Sequence, residues 1–184
     1  VDDSVDKKEF SKTVPGHADF AGALKFKQHD LRNVLERASA RETTSRVAAG
    51  SLCKSLLKKL NIEIKSRVLS IGNVTSDDIN ENLENINWKQ TEISEVRSSS
   101  INMDEKFKDA ILESKRNKTT IGGIFQVVAF NLPVGLGNFS QWDRKLDGKI
   151  AQAMMSINAV KGVEIGNGFS NTKKPGSEVQ DVIV

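Results

Sequence analysis

What the 184-residue sequence lacks excludes several classes of protein before any motif is considered. There is a single cysteine, Cys53. No disulfide can form within the chain, which suits a reducing, cytoplasmic compartment. One cysteine and two histidines cannot supply the ligand spacing of a zinc site. Tyrosine is absent and aromatics make up only 5% of residues, so the core must be built from Leu, Ile, Val and Ala. No apolar run approaches a membrane span. The stretch from Val1 to Lys12 is charged, with neither an initiator Met nor the apolar region of a secretory signal. No Walker-type loop occurs, and Gly135-Leu136-Gly137 lacks the rest of a dinucleotide fingerprint. The net charge, 27 Lys and Arg against 24 Asp and Glu, is only +3. That is too mild for a nucleic-acid footprint and compatible with a small anionic ligand.

What remains is an ordinary globular composition, 38% hydrophobic and 28% charged, and a length that implies one domain over residues 1–184. Residues 1–13 are polar and read as a frayed lead-in. Val14-Pro15-Gly16-His17 reads as a turn. Residues 30–60 follow a helical period, with Asp30 as cap, a break near Ala38, and Val47, Leu52, Leu56 and Leu60 on one stripe. Residues 62–71 alternate as a strand, and Ser76 caps a predicted short helix to residue 85. Residues 103–115 form an amphipathic helix carrying Phe107, Ile111 and Leu112. Residues 121–130, β-branched and opened by Gly122-Gly123, predict a buried strand. Residues 131–137 cannot be regular. Residues 141–157 predict a helix, 160–165 a strand and 166–176 a loop. The apolar run Val182-Ile183-Val184 reads as an interrupted strand, and both ends suggest a fragment. Helices and strands mixed without strict βαβ alternation make the fold class α+β.

Two places carry chemistry. In Glu36-Arg37-Ala38-Ser39-Ala40-Arg41-Glu42, Arg37 and Arg41 are four apart and share a helix face. Guanidinium groups, a hydroxyl and small residues that let a flat ligand reach the backbone make a phosphate or flavin-edge site. The bland alternative is a solvated face with a Glu42–Arg46 pair. His17, after Pro15-Gly16 and before Asp19, is a natural proton donor or acceptor, or else a plain loop histidine. His29 reads as structural or exposed. Asp143 and Asp147 read as surface charges.

Several blocks, in order, resemble chorismate synthase. They are Pro15-Gly16-His17-Ala18-Asp19, Asp30-Leu31-Arg32-Asn33-Val34-Leu35-Glu36-Arg37-Ala38-Ser39-Ala40-Arg41-Glu42-Thr43, Asn131-Leu132-Pro133-Val134-Gly135-Leu136-Gly137, Trp142-Asp143-Arg144-Lys145-Leu146-Asp147, Ser156-Ile157-Asn158-Ala159-Val160-Lys161-Gly162-Val163-Glu164-Ile165-Gly166 and Gly176-Ser177-Glu178. The resemblance runs from Pro15 to Glu178. It implies a β-α-β sandwich, with helices packed between antiparallel sheets, assembled as a homotetramer. It also implies a lyase that converts 5-enolpyruvylshikimate 3-phosphate to chorismate and phosphate by anti-1,4-elimination. That reaction needs reduced FMN, with NADPH involved only indirectly in flavin reduction, and no nucleic-acid or membrane partner.

By the same resemblance His17 is the second active-site histidine. Arg37, Ala38 and Ser39 form the first FMN-contacting run, Asn158 and Ala159 the second, and Arg41 meets the substrate phosphate. The family's Gly-Glu-Ser-His-type N-terminal segment and its C-terminal third have no counterpart here. The expectation is therefore a core segment that is inactive by itself. A non-catalytic oligomerisation core and a generic anion-binding module stand as the other readings.

Overall fold

Strand alternation at 62–71 produces β1 (Glu63–Ile71), the centre of a three-stranded antiparallel sheet of order β2-β1-β3, where β2 is Val74–Thr75 and β3 is Gly123–Phe130. The computed structural model describes residues 11–180. Most of the expected lead-in at 1–13 and the expected strand ending at Val182-Ile183-Val184 lie outside them. The fold is α+β, as expected. The helices are α1 (Asp19–Phe26), α2 (Arg32–Ala38), α3 (Thr43–Lys59), α4 (Trp88–Ile93), α5 (Ile101–Arg116) and α6 (Leu146–Met155). No helix among the described residues is long and apolar enough to cross a membrane.

The chain divides into two compact units, one of residues Val1–Leu52 and Pro133–Val184, the other Cys53–Leu132. The second holds the sheet. β1 and β3 pair from Glu63 opposite Phe130 to Ile71 opposite Gly123, with a bulge between Val68 and Ser70. Gly123 is required at that end, because a Cβ there would sit 2.5 Å from the Ser70 carbonyl oxygen. Phe107 and Met103 of α5 are buried, as are Ile62 and Ile86.

Much of this unit's interior is polar. Arg67 of β1 is 1% exposed, and Thr91, Ser98 and Ser99 are buried too. Burial at such cost is sustained by pairing. Arg67 Nη1 lies 3.0 Å from Asp78 Oδ1 and donates to the Asp78 carbonyl at 3.2 Å, while Nε donates to Gln126 Oε1 at 2.8 Å. Ser76 Oγ donates to Asp78 Oδ1 at 2.6 Å, and Ser99 Oγ donates to Asp78 Oδ2. Burial pushes the Asp78 carboxyl up, but the Ser76 and Ser99 hydrogen bonds and the Arg67 charge together hold it below its ordinary value.

Five element expectations need correction. Residues 76–85 form turns, not a helix, because Ser76 and Asp78 spend their side chains on the Arg67 network instead of capping. β3 is a strand but not a buried one: Ile124, Phe125 and Val127 are all exposed in this chain, since β3 is an edge of the sheet. Residues 160–165 form no strand, having no partner to complete a ladder among the described residues. The helix expected over 141–157 shrinks to α6, because extended Lys145 (ψ 130°) separates it from a single 3-10 turn at Trp142–Arg144. The loop expected over 166–176 also contains a 3-10 stretch, Gly168–Lys173. Two helices, α1 and α4, carry no sequence expectation.

Candidate functional site

The first unit contains all the residues singled out for chemistry. Pro15-Gly16 makes the expected turn, with Gly16 at φ +77°, where a side chain is strained. The His17 N–H donates to the Val14 carbonyl at 3.1 Å. Asp19, fully buried at the first position of α1, fastens the turn. Its Oδ2 accepts the Val14 N–H at 2.7 Å and its Oδ1 the Phe20 N–H at 2.8 Å. A carboxylate at a helix start is favoured by the unpaired N–H groups there. The result is a rigid loop carrying a half-buried His17, whose Nδ1 is buried without a hydrogen-bond partner.

The predicted break near Ala38 is present and explains the second feature. Ser39 is extended (φ −66°, ψ 147°), and its Oγ accepts the Arg41 N–H at 3.3 Å, capping the 3-10 turn Ala40–Glu42 that leads into α3. Because the helix stops here, the Ala38 carbonyl is left without a helical partner, while the Ser39 carbonyl accepts only the Glu42 N–H of the 3-10 turn, at 3.2 Å. Asn158 Nδ2 donates to both, at 3.4 Å to Ala38 and 3.0 Å to Ser39. Two runs some 119 residues apart thus meet through one side chain. Beside it Ala159 takes the left-handed conformation, φ +71°, rare for a residue with a Cβ.

The arginines divide. Arg41 pairs with Glu36 at 2.9 Å, both well exposed. Arg37 has no ion pair among the described residues and lines an open depression of ≈ 580 Å³ with Asp30, Arg32, Asn33 and Glu36. Arg46 holds Glu42, as the bland alternative expected, through Nε at 2.8 and 2.9 Å. Its Nη1 also donates to Ser156 Oγ at 2.7 Å.

So the structure brings Arg37, Ala38 and Ser39 together with Asn158 and Ala159, with Arg41 on the following turn. It places His17 on its own turn, and no hydrogen bond among the described residues joins it to that platform. Sequence reasoning missed the clamp at Asp19 and the link from Arg46 to Ser156. The position of Asp19 directly after Gly-His-Ala, opening a helix, was a signal for the clamp. Nothing local signals a bond across 110 residues.

No group of three or more His, Cys, Asp or Glu side chains among the described residues could hold a metal ion. What the arrangement offers is an unpaired guanidinium, small side chains, two satisfied carbonyls and a left-handed backbone corner, able to receive a flat anionic group.

Comparison with known proteins gives this arrangement a family. A family model described as chorismate synthase matches residues 3–184. A chorismate synthase of Sulfurihydrogenibium sp. (strain YO3AOP1) is 51% identical over 185 residues, covering 98% of this chain and 47% of the relative. One of Staphylococcus aureus (strain JH9) is 48% identical over 179 residues, covering 97% of this chain and 45% of the relative. A crystal structure of chorismate synthase superposes with a TM-score of 0.85 at 48% identity, over 91% of this chain and 52% of the other. The chain spans about half the length of the curated relatives it matches.

Proposed function

The chain belongs to the chorismate synthase family, and we propose that residues 1–184 are one core segment of an enzyme converting 5-enolpyruvylshikimate 3-phosphate to chorismate and phosphate. The observation that carries this reading is the Asn158 side chain, which joins the two runs expected to contact FMN by donating to the Ser39 and Ala38 carbonyls.

The residues fit a flavin. Ala38, Ser39 and Ala159 leave the backbone open to a planar ring, and Arg37, without an ion pair among the described residues, is available to a negative charge. Asn158 spends its amide on carbonyls, so its part is to hold the platform, leaving backbone groups of Asn158 and Ala159 to face the ligand. Reduced FMN, when bound, lends electron density to an elimination in which phosphate leaves C3 and a hydrogen leaves C6. Arg41 supplies charge for the substrate phosphate. His17, on a loop made rigid by Asp19, holds a proton at a ring nitrogen and exchanges it with the reacting partners. NADPH enters only by reducing the flavin elsewhere. The exposed apolar side chains Leu52, Leu56, Ile124 and Val127 suit burial in a larger, homotetrameric cytoplasmic enzyme.

The test is anaerobic turnover of 5-enolpyruvylshikimate 3-phosphate with photoreduced FMN, followed by chorismate absorbance. Full-length protein is expected to turn over, and His17→Ala to lose ~10²–10⁴-fold while still folding. Residues 1–184 alone are expected to give no turnover. Full-length protein that binds neither FMN nor substrate would leave only a non-catalytic core.

A further inference from the structure

We propose that Arg46 and Ser156 form a strut that sets the position of the Asn158–Ala159 run against Ala38–Ser39, and that both are positioning residues for the flavin site; the role rests on the function proposed above. Asn158 alone is a weak fastening. Its two hydrogen bonds come from one rotatable amide, and at 3.0 and 3.4 Å only one is short. The segment bearing it follows α6 and forms no strand. Something else must fix where it enters.

Arg46 does this from α3. Its guanidinium is oriented first by Glu42, one turn earlier, through Nε. That leaves Nη1 aimed at Ser156 Oγ, which it reaches at 2.7 Å, a short charge-assisted hydrogen bond. The Ser156 hydroxyl is itself fixed, because it donates to the Ala153 carbonyl at 2.6 Å, at the end of α6. Glu42, Arg46, Ser156 and Ala153 therefore form a continuous chain of polar contacts from the start of α3 to the end of α6. Ser156 is two residues before Asn158, and Glu42 is three residues after Ser39. Both ends of the chain thus lie beside the two runs that must be held in register. Arg46 contributes no group to the platform itself, so its effect passes through Asn158 and Ala159.

The experiment uses full-length protein with Arg46→Ala, Ser156→Ala, the double variant and Arg46→Lys. Wild type is titrated with FMN first; no binding there would overturn the functional reading itself and the strut's purpose with it. Given binding, each single variant is expected to weaken FMN affinity about tenfold or more, the worth of one charge-assisted hydrogen bond. The double variant should be no weaker than either single one, since they break the same contact. Arg46→Lys, which keeps the charge but loses the planar fork, should recover only part of the affinity. Independently of flavin, amide hydrogen exchange at Ile157 and Val160 should speed up in both single variants. Unchanged exchange overturns the strut. Faster exchange with unaltered FMN affinity, or additive losses in the double variant, overturns the positioning role.

Discussion

The two compact units spend their polar side chains in opposite ways. In Cys53–Leu132, charged and hydroxyl groups are turned inward and satisfied by one another, as in the Arg67–Asp78–Ser76–Ser99 network. In the other unit, among the described residues, only Asp19 of the polar groups is comparably buried. Arg37, Arg41 and Ala159 are left at the surface, and His17 Nδ1 is left unpartnered. One unit uses polarity to define its own fold and the other holds it in reserve. An unpaired guanidinium or ring nitrogen contributes little to stability, and its retention is easiest to understand as readiness for a ligand.

The sharpest way to break this comparison is Arg67→Ala. Removing one partner of a buried pair strands the other, and about 3–5 kcal/mol of stability should be lost. Each unit carries one of the two tryptophans, so the effect can be located. Trp88 packs edge-on to Phe130 at 5.7 Å and donates its Nε1–H to the Leu83 carbonyl, and therefore reports on the sheet unit. Trp142 reports on the other. In denaturant, with the other tryptophan replaced by Phe, the Trp88 transition should move far more than the Trp142 transition. Equal movement would mean that the two units unfold as one cooperative body and that the contrast in polarity has no energetic counterpart.

A smaller effect is expected from Arg41→Ala, in the opposite sense. Its ion pair with Glu36 is exposed on both sides, 78% and 56%, so stability should change by less than about 1 kcal/mol. Affinity of the full-length enzyme for 5-enolpyruvylshikimate 3-phosphate should fall about tenfold or more, as for a lost hydrogen bond to a charged group. Calorimetric titration beside a thermal melt separates the two. A melt lowered by several degrees with unchanged affinity would make Arg41 a structural residue and return this face to an ordinary solvated helix surface.

The same contrast explains what was legible in the sequence. Turn chemistry at Pro15-Gly16, the break at Ala38–Ser39, the strand at 63–71 and the helix around Phe107 are set by local rules, and local rules can be read off a chain. The interior of the sheet unit is set by long-range polar pairing, which no period reports. In β1 the buried positions include Arg67 and Ser70, while Val68 and Leu69 are only half-buried, so the alternation was visible but its inside face was not. The same network removed the helix expected after Ser76. In the other unit, the residue types around Arg37–Arg41 suggested an anion or flavin-edge site by themselves, whereas 158–159 entered only through family resemblance. The Asn158 bond that unites them depends on folding.

The smallest of the expected effects concerns acid. The Lys108 ammonium and the Ser94 hydroxyl, hydrogen-bonded to Asp104, hold its carboxyl below its ordinary value of 3.8, against the opposing effect of burial. A depressed folded-state pKa stabilises the ionised, folded form. The contribution is therefore complete above the unfolded value and is lost as pH falls through the folded one. Asp104→Asn keeps an oxygen for Ser94 but cannot titrate, and at neutral pH it should cost about 1 kcal/mol, read from Trp88 unfolding. As pH falls below about 3.9 the unfolded wild-type carboxyl protonates first and the folded one only at its lower pKa, so the gap between the two proteins should narrow progressively as the solution is acidified. Arg67→Ala offers the control, because an arginine does not titrate in this range and its deficit should persist until Asp78 is itself protonated. If the Asp104→Asn deficit stays constant from pH 7 to pH 3, Asp104 acts through shape and not through charge. The inward-turned polarity of the sheet unit would then rest on the Arg67 network alone.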